Sequence, residues 1–572
     1  MPGIFVSNYP DIQIPDGEYQ KNLVRQTMKT DTFVVERNTL NKYMNDKLFF
    51  ENEQLIVLLD GVILNKSELC RTYGSDNFSE VVLQMREKNG ELFFSDFRGS
   101  FVGAVYEKAA DAWLFFTDHI GRSLFWYENE NGFIVGSELI YITKSMESMR
   151  IKREVEPSTY EYMLTYGWML DKRTCVKHVY RLMAGNCLHI QNGEIREECY
   201  HRITNKPNYD ITFEQAIVDM NSRFNRAMKQ IIMKDEEYGY RTVLDLSGGL
   251  DSRMICFAAK KLGVKNPILF GFGQSGCLDQ KIAQQIAEYL GYPFIYYSID
   301  SAAHLYDIDQ IIRMNSGSCY YSGIGATKCW MEMLDSSSMG LSVNGIFGDV
   351  YEGAHLFANT DDGYLPVVIN ERKKCLSHML PIVLDESCTQ GYENIEMFLS
   401  YTRDMIGNMN TALTKRYFME TISPFADVEF LSFFFSLPRK MRIEDKVGIN
   451  WMKQIYPMAA RFKYATTNTR PDASKLAVFA NRVKYRLIRE IGRLKGKKVA
   501  VSWSMAMNPY EYWYTRNPGL RLFFETYFNE NINRFSQNSQ IQSAISELFV
   551  KGSILEKILA LSALACAKQF ND

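Results

Sequence analysis

No two of the eleven cysteines in this 572-residue sequence form a CxxC pair, and they scatter from Cys70 to Cys566. An odd number without a framework spacing argues against a disulfide scaffold and for reduced, mostly buried thiols, as expected in a cytoplasm. None of the seven histidines falls at HxxxH spacing, so the sequence offers no zinc signature. No apolar run is long enough to span a bilayer; the greasiest piece, "FLSFFFSLP", is stopped by Pro438 and reads as a core helix. The opening "MPGIFVSNYPDIQIPDGEYQ" carries acids early and no long apolar core, unlike a secretory leader. A surplus of charge is also missing. The net value of −2 gives no electrostatic case for nucleic acid or an anionic membrane as partner.

What is present divides into two textures, expected as domains at 1–205 and 206–572. Up to about residue 200, short strand-like runs such as "QLIVLLDGVIL", "SFVGAVYE", "AWLFFTDHI" and "GFIVGSEL" alternate with Gly and Asn. A hairpin is expected at Asn192–Gly193. Beyond "ITNKPNYD" helix alternates with strand. "TFEQAIVDMNSRFNRAMKQII" reads as an amphipathic helix with a capping box at Thr212 and Gln215. Then follow a strand "TVLDL", a helix from Asp251, a strand "PILFGFG", a helix "LDQKIAQQIAEYLG" and a strand "FIYYSI". That order predicts a doubly wound parallel sheet. A helical tail from about residue 475 contains the basic stretch "RVKYRLIREIGRLKGKK", which reads as a solvated face.

The stretch "RTVLDLSGGLDSRMI", Arg241 to Ile255, has the rhythm of a phosphate-binding loop but no GK[ST]. Gly248 and Gly249 let backbone approach an anion. The N–H groups from Ser247 to Ser252 form a nest at a helix start, and the two serines add hydroxyls. Asp251 makes no sense beside a bare phosphate, and makes sense as a ligand of Mg²⁺ carried by phosphates.

"SGGLDS" resembles the pyrophosphate loop of the N-type ATP pyrophosphatases, and the rest of the chain selects among them. "LDGVILNKSEL", "DFRGSFVGAVYE", "FFTDHIGRSLFWY", "VYRLMAGNCLHI", "VNGIFGDVYEG" and "METISPFADVEFLSFFFSLP" resemble, in order, segments of asparagine synthetase B and its relatives, the β-lactam synthetases and lasso-peptide cyclases. The resemblance spans roughly residues 50 to 475. It implies an N-terminal αββα sandwich of the glutaminase type joined to an ATP-using synthetase domain. It places nucleotide on Leu246, Ser247, Gly248, Gly249, Leu250, Asp251, Ser252 and Gly345, and Mg²⁺ on Asp251 and Asp349. It implies ATP and Mg²⁺ as cofactors of an AMP-forming ligase that makes C–N bonds.

The departures narrow the reading. Pro2 stands where glutamine-using members have a cysteine, Asp60 where they have the oxyanion asparagine, and no HRGPD-like stretch precedes it. A carboxylate there would repel a developing oxyanion. The first domain is therefore expected to be a scaffold that does not hydrolyse glutamine. Ile346 replaces a catalytic Glu or Tyr, and Asp472 in "TRPDASK" replaces the pyrophosphate lysine, leaving Arg470 or Lys475 as substitutes. Lys475 joins Asp251 and Asp349 as the expected catalytic set; Tyr351 and Glu352, beside the missing base, read as ordinary helix residues. The expected partners are a carboxylate substrate and an amine, with a homodimer or proteins of a biosynthetic cluster as further options. The carboxylate is a ring-closing precursor peptide, a sugar acid of a surface polysaccharide, or a small amino acid. The alternative is a non-catalytic scaffold that kept ATP binding.

Overall fold

The computed structural model describes residues 2–9, 12, 23–351, 353, 355, 356, 375–380, 386–409, 412, 414–494 and 506–572. Twelve strands build two antiparallel sheets in the first 200 residues. They are β1 Gly3–Ser7, β2 Leu23–Lys29, β3 Val34–Leu40, β4 Leu48–Glu51, β5 Leu55–Ile63, β6 Gly99–Glu107, β7 Ala112–Thr117, β8 Phe125–Asn129, β9 Gly132–Gly136, β10 Val179–Arg181, β11 Asn186–Gln191 and β12 Glu194–Cys199. One sheet runs β10-β8-β9-β1-β3-β2 and the other β12-β11-β7-β6-β5-β4.

Alternation explains the layers. Ile4, Val6 and Val35 from one sheet meet Ile56, Leu58, Val102 and Phe115 from the other in a buried layer. The opposite residues of β5 and β6, Val57, Leu59 and Phe101, turn outward against helices α1 (Lys66–Tyr73) and α2 (Phe78–Asn89). On the far side, Phe5, Val34 and Phe125 pack against α3 (Leu139–Ser148) and α4 (Pro157–Thr165). The result is the expected αββα sandwich. The hairpin at Asn192–Gly193 has positive φ at both residues, 52° and 78°, the primed turn that matches strand twist.

The outer layer beyond α3 and α4 holds a feature absent from the sequence reading. The terminal helices Ser539–Lys551 and Ile554–Cys566 share one core with Tyr160, Met163 and Leu164 of α4. The end of the chain thus buries its apolar face on the first sandwich.

The long helix α5, Phe213–Glu237, starts where Thr212 accepts a hydrogen bond from the Gln215 amide at 3.1 Å. The expected capping box is only half made, because the Gln215 side chain donates instead to Asp219, 2.9 Å away. Strands β13 Arg241–Asp245, β14 Ile268–Gly273, β15 Phe294–Ser298, β16 Met339–Val343 and β17 Thr421–Ile422 form a wholly parallel sheet, ordered β15-β14-β13-β16-β17. Helices α6 (Asp251–Lys261) and α7 (Leu278–Leu290) are the crossovers. The strand order reverses between β13 and β16, which leaves a crevice at their carboxyl ends. The segment "FLSFFFSLP" contributes to the buried helix Val428–Ser436.

Among the described residues no helix is long and apolar enough to cross a membrane. Glu352 and residues 495–498 of the basic stretch lie outside the described residues.

Candidate active site

The crevice holds a cavity of about 380 Å³. Its walls are the loop after β13, the loop after β16, the ends of β14, and residues from the segment 408–415. Leu246, Ser247, Asp251 and Ser252 line it from the first loop and Gly345, Ile346 and Asp349 from the second.

Packing fixes Asp251 against the second loop. A Cβ on Gly348 would sit 2.0 Å from Asp251 Cγ, and one on Gly345 would sit 2.8 Å from Asp251 Cβ. Neither space admits a side chain, so both glycines hold the two loops together. Asp349 begins the short helix Gly348–Tyr351, is half exposed, and has the Arg403 guanidinium 3.8 Å away. The two aspartates therefore border one cavity, and hard carboxylate oxygens are the donor chemistry that suits Mg²⁺.

The loop itself is built differently from a bare nest. The Ser247 amide donates to Ser252 Oγ at 3.0 Å, the Gly249 amide to Ser247 Oγ at 3.1 Å, and the Gly248 amide to Asp279 Oδ1 at 3.1 Å. Three of the expected anion donors are thus held by the protein's own oxygens, and burial raises the Asp279 carboxyl above the ordinary range. Gly248 and Gly249 do not face the cavity as lining residues. Gly248 instead packs closely, since an added Cβ would lie 2.7 Å from Ala465. Leu250 turns into the core beneath α6.

Two groups that the sequence reading missed shape the site. Arg253 is wholly buried, and its guanidinium donates to five carbonyl oxygens, those of Gly248, Gly249, Ala459, Phe462 and Lys463, at 2.6–3.2 Å. It staples the loop to the segment that precedes "TRPDASK". Lys415 enters the cavity from the far side, with Nζ on the Asp245 carboxylate and 3.0 Å from Ser342 Oγ. Beside it, Phe270 and Trp330 stack at 3.6 Å and form an aromatic wall.

The substitutes proposed for the missing lysine go elsewhere. Lys475 is 87% exposed and paired with Glu444 at 2.8 Å. Arg470 is paired with Asp472 at 3.4 Å. Neither lines the cavity.

Where the first sandwich meets the second unit, Asp60 is fully buried. Arg122 lies 2.6 Å and Lys47 3.8 Å from its carboxylate, Thr39 donates to it, and Lys47 continues to Glu420 at 3.2 Å. Burial opposes ionisation of Asp60, yet Arg122 and Lys47 outweigh it and hold the carboxyl below its ordinary range. Pro2 is buried just before β1. One metal-type cluster does occur among the described residues. Cys187, His189 and Glu198 bring ligand atoms within 4.8 Å of one another. Histidine spacing could not reveal it, because its members come from paired strands.

Residues 40–201 match the family model of a glutamine amidotransferase domain, and residues 219–332 that of asparagine synthase. The second match stops short of Asp349 and Lys415. Asparagine synthetase B [glutamine-hydrolyzing] of Escherichia coli is 27% identical over 267 residues, 43% of this chain and 42% of that protein. A protein named as an asparagine synthetase of Methanocaldococcus jannaschii is 24% identical over 266 residues, 44% of this chain and 49% of that protein. The chain thus spans about half the length of the curated relatives it matches. Among solved structures, the allosteric regulatory enzyme of purine biosynthesis overlays with a TM-score of 0.23 and 11% identity, covering 52% of this chain and 74% of that one. Glutamine phosphoribosylpyrophosphate amidotransferase from B. subtilis gives the same TM-score and identity, covering 54% and 81%. Taken together, the two family matches in that order and the sequence relatives make residues 40–332 similar to a glutamine amidotransferase domain followed by an asparagine synthase domain, the arrangement of the asparagine synthetase-like proteins.

Proposed function

We propose that the protein is an ATP-dependent ligase that activates a substrate carboxylate as an acyl-adenylate, releases pyrophosphate, and passes the acyl group to an amine. The observation that carries this is the crevice at the strand-order reversal, where Ser247, Asp251, Ser252, Asp349 and Lys415 face one cavity. In that position the hydroxyls of Ser247 and Ser252 bind phosphate oxygens. The wall of Phe270 and Trp330 offers a flat apolar surface to a base. Asp251 and Asp349 would hold Mg²⁺, which supplies charge neutralisation for departing pyrophosphate when bound. Lys415 takes the place of the absent pyrophosphate lysine: its ammonium faces the cavity and is held ready by Asp245 and Ser342. Ile346 lines the cavity where the family places a proton-transferring side chain, so the attacking amine must lose its proton to substrate or solvent.

The first sandwich serves as a scaffold rather than a glutaminase. Its would-be oxyanion position, Asp60, is consumed by Arg122 and Lys47 in a buried charge cluster that continues to Glu420. The amine is therefore a second substrate, part of the same molecule, or free ammonia, and the carboxylate belongs to a peptide, a sugar acid or a small amino acid. A non-catalytic nucleotide-binding scaffold is the second reading, favoured by Ile346 and by the outward position of Lys475. Calorimetric titration with ATP and Mg²⁺ separates the site assignment from chance. Binding weakened in both Asp251→Asn and Asp349→Ala is expected, and binding unaffected by either removes the assignment.

A further inference from the structure

The helix Lys475–Leu494 leaves a large apolar surface uncovered. Leu476 is 78% exposed, Phe479 63%, Val483 39% and Leu487 58%. These four positions recur at i, i+3, i+7 and i+11, so they form one continuous stripe along the helix. They make up four of the large hydrophobic residues exposed anywhere among the described residues, and no other element carries so many in register. A stripe of this kind costs free energy in water and marks a surface that is covered in use.

The chemistry of the flanks identifies the cover. Within residues 475–494 the sequence has six basic residues and one acidic residue, although the whole chain has a net charge of −2. Lys475, Lys484 and Arg486 are exposed alongside the stripe. In sequence, Arg482, Arg486, Arg489 and Arg493 repeat at i, i+4, i+7 and i+11, a second helical row. An apolar row beside a cationic row is the pattern of a helix that lies in the interface of an anionic bilayer, with its apolar face among acyl chains and its cations at the headgroups. Twenty residues give the helix a length of roughly 30 Å, enough to act as an in-plane contact. A purely nucleic-acid-binding helix would have no use for Leu476, Phe479, Val483 and Leu487 facing outward. The whole-chain charge balance conceals this local polarity.

We infer that this helix docks the protein on an anionic lipid surface, with the stripe Leu476, Phe479, Val483 and Leu487 as the inserted face. The inference is independent of the ligase reading, because none of these residues lines the cavity.

Sedimentation of the full chain with vesicles of phosphatidylcholine alone, or of phosphatidylcholine with phosphatidylglycerol, tests it. Strong binding to the anionic vesicles, reduced by added salt, is the expected result. Replacing the four stripe residues together by serine should reduce binding more than about a hundredfold. Lys484→Gln and Arg486→Gln should each weaken it about fivefold, equivalent to roughly 1 kcal/mol per cation. The substituted positions are exposed, so the thermal melt should not move. Phe479→Glu is the single-site check should the fourfold variant misfold. Equal binding by Phe479→Glu and wild type would overturn the inference. So would no binding to anionic vesicles, a stripe buried instead between two copies in solution, or capture of single-stranded RNA without any of lipid.

Discussion

The Arg253 Nε lies 2.7 Å from the carbonyl oxygen of Gly249, on the same turn of chain, while its two terminal nitrogens reach Ala459, Phe462 and Lys463 more than two hundred residues away. The loop Ser247–Ser252 is therefore held from behind by a buried cation from the first turn of α6. Removing it leaves five carbonyl oxygens to find other donors. Arg253→Ala should destabilise the fold by about 3 kcal/mol or more, because several buried carbonyl acceptors lose a charged donor at once. Arg253→Lys should recover part of that stability but not nucleotide affinity, because one ammonium cannot satisfy a planar set of acceptors. Denaturation midpoints beside ATP titrations check both.

Lys415 gives a second prediction. Lys415→Met should lower AMP formation by about a hundredfold, the scale for losing one preorganised charge in an active site. It should also leave the partly exposed Asp245 carboxylate without its ammonium. The double variant Asp245→Asn with Lys415→Met should recover stability but not turnover. Recovery of turnover in the double variant would mean that Lys415 only balances Asp245.

A pH effect is expected at the junction between the two units. His119 is buried and beside the His201 ring, with 4.9 Å between centroids, and near Arg98; together these push its imidazole pKa down to about 3. The folded value lies below the ordinary value of about 6.5. The unfolded chain thus takes up a proton that the folded one refuses, and stability falls as pH drops through about 6.5 toward 3. His119→Gln should flatten the fall in melting temperature between about pH 7 and pH 5 relative to wild type. An unchanged slope would place the titrating group elsewhere.

Glutamine should not be hydrolysed. Neither wild type nor Pro2→Cys should release glutamate, because Asp60 with Arg122 and Lys47 remains where an oxyanion would need donors. Steady glutamate release by wild type would contradict the scaffold reading of the first sandwich.

How far the sequence could be read follows from the range of the contacts. Strand β13, its glycine loop and α6 are adjacent in sequence, and periodicity with turn chemistry placed them within a residue or two. The strand-like runs of the first 200 residues were legible from local pattern as well, whereas their αββα arrangement followed only from the resemblance to the asparagine synthetases. Lys415 was not legible. It meets Asp245 across 170 residues, and no spacing rule connects them. Lys475 lies close to "TRPD" in sequence, but a helix start there carries it outward to Glu444. The tail beyond about residue 475 read as helical, but nothing in it named the surface its last helices cover, which proved to be α4 of the first sandwich.

The most direct test of the ligase reading follows nucleotide products by chromatography while carboxylates and amines are screened with ATP and Mg²⁺. On the ligase reading, the serines, the two aspartates and the lysine that line the cavity, with no P-loop lysine, would stabilise departing pyrophosphate and leave the α phosphorus open to attack. The account predicts AMP and pyrophosphate in equal amounts with the right substrate pair, with most of that activity lost in Asp349→Ala and much less in Ile346→Ala. ADP as the sole nucleotide product would contradict it.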